Sequence, residues 1–241
     1  MDDRTHNEIK QDLTGYFNAA DINKFAEEMS KERDIIIYAK HKQKSSILQC
    51  LVGSDLLSVT ACNGLAYKIL PGQKEIHDLA IHPCGSFLLK ELMTFVKSEG
   101  FQQDVFDEVC GNFSRLITHK VGTFSCQAVI ENAKYAEILK LFNALLDLPR
   151  LDFLDIATDK AGSRVVQEFV KELKEEDFFL MADALKGDVK ELVCTQHGSF
   201  LGQKIVQRLR VNMLKDKFLG DLMEDKKEWE ELQTIGWMQG E

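Results

Sequence analysis

"GSRVVQEFVKEL" (162–173) and "GSFLGQKIVQRL" (198–209) share one layout: a Gly, a Ser, a flat side chain, and a Gln four residues after the Ser. In the first stretch Val165, Val166, Phe169, Val170 and Leu173 recur at helical spacing, which predicts the buried stripe of an amphipathic helix. Ser163 and Gln167 stand at i and i+4 and so stack on one face, with Arg164 beside them. The same face is formed by Ser199, Phe200 and Gln203 in the second stretch.

Searching outward for self-similarity finds three more copies. "YAKHKQKSSILQCLV" (38–52), "LAIHPCGSFLLKELM" (79–93) and "LITHKVGTFSCQAVI" (116–130) align with the segments at 156–170 and 192–206. Gly85, Gly122, Gly162 and Gly198 mark the register at spacings of 37, 40 and 36 residues, and Lys44 holds the Gly position 41 residues before Gly85. A period of this size is the signature of a helical solenoid.

Each unit reads as three helices. "KYAEILKLFNALLDL" places Ile138, Leu141, Phe142 and Leu145 at helical spacing, and "EEDFFLMADAL" takes the same part in the next unit. A short second helix such as "RLDFLDIA" follows, then a turn, "TDKAGS" or "IHPCGS". The Gly is expected to permit unusual backbone angles there, and the Ser or Thr to cap the third helix. Pro83 fits the break, because it disfavours helix in the residue before it. The units are predicted at 18–52, 53–97, 98–133, 134–173 and 174–210, in one domain closed by a C-terminal cap at 211–241.

Composition sets limits on function. With 30 Lys and Arg against 39 Asp and Glu the net charge is −9, which argues against non-specific attraction to phosphates. A nucleic-acid site would have to be a local patch in an acidic chain. The apolar runs fall short of the roughly 20 residues that span a membrane. "MDDRTHNEIKQDL" is too polar for a secretory signal. Six scattered cysteines without a C-x-x-C pair predict a reduced, intracellular protein without a zinc framework. His41, His82, His119 and His197 are expected in inter-helix turns, and His77 with Asp78 has no partner at a metal-ligand spacing. No metal, cofactor or catalytic activity is expected.

Taken singly, a Ser after Gly is a turn residue, a Gln is a solvated helix former, and a Phe is core. Five registered copies argue otherwise. Stability alone gives no reason to set Gln at four of five equivalent positions, whereas a surface that reads a regularly spaced polymer does. A Ser and Gln pair can meet a base edge, and Phe or Arg can stack between bases. The face comprises Ser45, Ser46 and Gln49; Ser86, Phe87 and Lys90; Thr123, Phe124 and Gln127; Ser163, Arg164 and Gln167; Ser199, Phe200 and Gln203.

These motifs resemble the Pumilio-repeat (PUF) family, whose units carry a base-reading code at the start of the third helix. "GSRVVQ" and "GSFLGQ" are close matches and "GTFSCQ" a good one. "GSFLLK" departs at Lys90, whose ammonium only donates, and "KSSILQ" lacks both Gly and stacking residue. The resemblance covers roughly residues 18–210. It implies an all-α, right-handed solenoid that binds single-stranded RNA along its concave face. Ser or Thr with Gln would contact base edges, adenine for Ser163/Gln167 and Ser199/Gln203, while Phe87, Phe124, Arg164 and Phe200 would stack. Lys204 and Arg208, in a basic cluster with Arg210, Lys215 and Lys217, are candidates for phosphate contact.

Three Phe stackers, uneven spacing and net acidity make the chain most similar to the divergent nucleolar branch, and to the C-terminal half of nucleolar protein nine. The charged tail "LKDKFLGDLMEDKKEWEELQ" (214–233) strengthens that likeness. The branch implies a monomeric nucleolar protein that binds precursor ribosomal RNA beside preribosomal proteins, in small-subunit maturation. The alternative is a helical scaffold for a protein partner, since solenoids serve both purposes.

Overall fold

The computed structural model describes residues 6–209, which are all-α and contain no strand. The predicted C-terminal cap, with Arg210, Lys215 and Lys217, lies outside the described residues. A leading helix, α1 (His6–Tyr16), precedes five three-helix repeats. They are α2 (Ala19–Lys31), α3 (Ile35–Lys40) and α4 (Lys42–Val52); then α5 (Val59–Ile69), α6 (Gln73–Ala80) and α7 (Gly85–Phe95); then α8 (Glu99–Gly111), α9 (Phe113–Leu116) and α10 (Gly122–Asn132). The fourth is α11 (Tyr135–Leu146), α12 (Arg150–Thr158) and α13 (Gly162–Glu172); the fifth is α14 (Glu175–Leu185), α15 (Val189–Cys194) and α16 (Gln196–Leu209). By packing, the chain divides into two compact bodies, Met1–Ala133 and Lys134–Glu241. The division falls between the third and fourth repeats.

The predicted stripes form the cores. Ile138, Leu141, Phe142 and Leu145 of α11 are buried, as are Val165, Val166, Phe169, Val170 and Leu173 at α13. Third helices pack on one another: α7 lies against both α4 and α10 in the N-terminal body, and α13 lies against α16 in the C-terminal body. The leading helix α1 packs on α4, taking the place of a preceding third helix.

The turn before each third helix differs from expectation in two ways. First, the cap comes from three residues before the Gly position, not from the Ser or Thr after it. His82 Nδ1 accepts from the backbone N–H groups of Cys84 and Gly85, both at 3.2 Å. His119 Nδ1 accepts from Val121 at 3.3 Å and Gly122 at 2.9 Å. Asp159 Oδ1 accepts from Ala161 at 2.8 Å and Gly162 at 2.7 Å, and Thr195 Oγ1 accepts from Gly198 at 3.1 Å. These bonds satisfy N–H groups that a helix start leaves without intrahelical partners. In the first repeat, where Lys44 replaces Gly, His41 Nδ1 accepts from Lys44 at 3.5 Å.

Second, the glycines answer a close approach rather than a special backbone angle: all four sit at the head of a third helix or within its first turn. A Cβ on Gly198 would lie 2.1 Å from the Leu192 carbonyl oxygen, and one on Gly162 would lie 2.5 Å from that of Ile156. At Gly85 and Gly122 it would meet Leu79 Cδ2 at 2.4 Å and Leu116 Cδ2 at 2.8 Å. The third helix thus seats deeply on the second, and the residue after the Gly goes inward with it.

Candidate nucleic-acid interface

That seating decides what the third-helix face can offer. Ser45, Ser86, Thr123 and Ser163 are all at most 1% exposed, and of these four only Ser163 lines a hollow of the third-helix face described below. Ser45 Oγ donates to the Cys84 carbonyl of the next repeat at 3.1 Å. Ser199 alone of the five is partly open, and its Oγ donates to the Gln196 carbonyl at 2.8 Å. The exposed positions are the next residue along and the one a turn later. Phe87 and Phe200 are about half exposed, Arg164 and Gln203 are exposed, and Phe124, Gln49, Gln127, Lys90 and Gln167 are half-buried.

In the N-terminal body these groups are engaged with one another. The rings of Phe87 on α7 and Phe124 on α10 have centroids 5.4 Å apart and planes 32° apart. Lys90 Nζ pairs with Glu131 Oε2 at 2.8 Å. Gln49 donates to Ser45 Oγ at 3.0 Å, and Gln127 donates to the Thr123 carbonyl at 3.1 Å.

The C-terminal body differs. A hollow of about 470 Å³ opens between α13 and α16. Three amides line it: Gln167, Gln203 and Gln207, the last one helical turn beyond Gln203. Arg164 and Phe200 supply flat groups, and Lys160, Lys204 and His197 add positive or protonatable nitrogen. Among the described residues no Asp or Glu lines the hollow. This is the local basic patch that an acidic chain requires for phosphate attraction. Lys160, His197 and Gln207 were not singled out from the sequence as face residues. The i+4 step from Gln203 to Gln207 was the signal for one of them. His197 lies in α16, not in the turn before it.

Arg208 does not face the hollow. Its guanidinium donates to the carbonyls of Val170 and Leu173 at the end of α13, and stacks over Phe178 at 4.3 Å. Burial lowers its pKa, partly offset by Tyr135 and Glu175. The predicted phosphate contact is therefore corrected: Arg208 caps carbonyls that a helix end leaves unpaired. Lys204 stays exposed, lining the hollow.

A second hollow, of about 730 Å³, lies among α1, α2 and α4 in the N-terminal body. Ile9, Leu13, Phe17, Ile22, Phe25 and Ile47 make it apolar, and its rim mixes Asp12, Asp21 and Glu28 with Lys24 and Lys44. Among the described residues no cluster of three or more His, Cys, Asp or Glu could hold a metal ion, and no helix is long and apolar enough to cross a membrane.

The geometry has counterparts. Residues 75–110, 112–146 and 152–185 match the family model of the Pumilio-family RNA binding repeat. The three matches contain α7, α10 and α13. Over 131 residues, 54% of its length, the chain is 27% identical to the putative pumilio homolog 7, chloroplastic, of Arabidopsis thaliana, and it spans 20% of that protein. Among solved structures it is similar to a double mutant of Puf4 bound to the Cox17 RNA 3′ UTR recognition sequence. The TM-score is 0.72 at 17% identity, covering 94% of this chain and 70% of that one. PUF-8 in complex with PBE-RNA matches at a TM-score of 0.70 and 13% identity, covering 92% and 69%. The predicted α-solenoid of Pumilio-like repeats is the fold these structures share with it.

Proposed function

We propose that this chain, three segments of which match the Pumilio-family RNA binding repeat, binds single-stranded RNA through the face built by its third helices. The observation that carries this is the hollow between α13 and α16: amides, flat groups and cations, with no acid among the described residues that line it. Arg164 and Phe200 supply surfaces on which bases stack, which contributes about 1–3 kcal/mol per base. Gln167 and Gln203 offer both donors and acceptors to a base edge, with adenine the base that the repeat code implies. Lys160 and Lys204 meet the backbone. The RNA partners of Puf4 and PUF-8 support this assignment.

The test is fluorescence anisotropy with labelled oligo(A) RNA at low salt. Phe200→Ala is expected to weaken binding by about tenfold, the lower part of the stacking range, with the helical circular-dichroism signal unchanged. Unchanged affinity removes Phe200 from the interface. Equal affinity for oligo(A) and oligo(C) removes the adenine preference and leaves backbone binding.

For the cellular role we propose precursor ribosomal RNA in the nucleolus, alongside preribosomal proteins, with no catalysis by this chain. This reading rests on the Phe-rich code positions, the acidic composition and the charged tail. Crosslinking of the native protein to cellular RNA tests it, and recovery of messenger RNA alone would overturn it. The scaffold alternative has one observation in its favour, the apolar hollow among α1, α2 and α4. It predicts a stable protein complex that survives Phe17→Ser poorly and Phe200→Ala unchanged.

A further inference from the structure

The two bodies carry equivalent third-helix faces, yet only one is open. We infer that the α13/α16 hollow takes bases, and that the α7/α10 face is closed to them by contacts within the protein. The inference rests on the RNA-binding reading above.

Three observations support the closure. A base between two rings needs about 3.5–4 Å of van der Waals spacing on each side, roughly 7 Å between ring planes. Phe87 and Phe124 lie 5.4 Å apart between centroids and are tilted by 32°, so the slot is filled by the rings themselves. Lys90, the cation at the code position of that face, is neutralised by Glu131 at 2.8 Å. Gln127, the amide at the code position of α10, donates to the carbonyl of Thr123 in its own helix. Stacking group, charge and amide are therefore all engaged inside the protein. Across the α13/α16 hollow the corresponding groups are available: among the described residues Gln167, Gln203 and Arg164 make no side-chain hydrogen bond or ion pair.

The closed face has a consequence for length of readout. Specificity then comes from α13 and α16, and α7 and α10 read no base. Mutating Phe87 and Lys90 should then be nearly silent, although both occupy code positions of a repeat that matches the family model.

The test uses the full chain and labelled oligo(A) RNA. Arg164→Ala combined with Phe200→Ala is expected to lower affinity by about tenfold or more, and Phe87→Ala combined with Lys90→Ala by less than about threefold. A comparable loss in both double variants overturns the inference while leaving RNA binding intact. Failure of the unaltered chain to bind RNA overturns the functional reading itself, and this inference with it. A second readout is independent of affinity. Phe200→Trp should show tryptophan quenching by stacked bases on RNA addition, beyond any change in the unaltered chain, whereas Phe87→Trp should not. Quenching at Phe87→Trp overturns the closure.

Discussion

The α7/α10 and α13/α16 faces descend from the same sequence pattern and differ in what their polar and aromatic groups are already doing. On α7/α10 a ring meets a ring and a cation meets an acid. On α13/α16 the matching groups line an open hollow. Opening the first face costs about 0.5–1.5 kcal/mol for the aromatic pair and about 0–1 kcal/mol for the exposed ion pair. That is close to the 1–3 kcal/mol a stacked base returns, so insertion there nets little. The second face incurs neither cost. A code position identifies a residue's place, and its neighbours decide whether it is free to act.

Several variants can break or sharpen this contrast. Arg208→Ala should have the largest effect, about 2–3 kcal/mol, because two charge-assisted hydrogen bonds to the end of α13 disappear. Urea unfolding should show the C-terminal body melting early while Met1–Ala133 is unaffected. If Arg208 instead holds phosphate, RNA affinity falls at unchanged stability. Gly198→Ala should cost about 1–3 kcal/mol through overpacking, since its Cβ would press on the Leu192 carbonyl, measured by thermal unfolding. Lys204→Ala should reduce the slope of log affinity against log salt by about one unit, and Lys90→Ala should leave it unchanged. Glu131→Gln sharpens the contrast from the other side. It frees Lys90 at a stability cost of about 0–1 kcal/mol and should steepen the salt slope.

The smallest effect concerns pH. The caps of the N-terminal body are imidazoles that accept through Nδ1, whereas Asp159 and Thr195 cap the C-terminal body. Burial, with a smaller contribution from Lys40, lowers the His82 pKa from 6.5. The folded chain therefore binds this proton less readily than the unfolded chain. The stabilisation is complete above about pH 6.5 and is lost as pH falls through the folded value. His82→Asp should flatten this part of the urea midpoint's pH dependence in the N-terminal body.

The fold was legible because its signal repeats: helical spacing at Ile138, Leu141, Phe142 and Leu145 and again at Val165–Val170 fixes both helix type and buried side. The face was legible in part. Sequence register finds Phe87, Phe124, Arg164 and Phe200, because equivalent positions follow the helix period and the repeat. It does not reveal that Phe87 and Phe124 touch, since the distance between neighbouring helices is set by the packing beneath them. It does not show how little of the Ser and Thr hydroxyls is exposed, because the depth of seating depends on a carbonyl six residues before the Gly. Arg208 looked like part of a basic cluster, and only three-dimensional proximity connects it to Val170, Leu173 and Phe178. The leading helix α1 carries Ile9 and Leu13 at i and i+4, but no repeat register extends to it.

The close approach at the four glycines acts as a gauge. Leu79 to Gly85, Leu116 to Gly122, Ile156 to Gly162 and Leu192 to Gly198 are the same interval, while the distance from one glycine to the next varies among 37, 40 and 36 residues. Insertions and deletions therefore accumulate outside the interval that positions the working residues. Each second-to-third-helix segment is a self-aligning cassette, and its turn holds the third helix at one depth whichever stacking residue that helix carries.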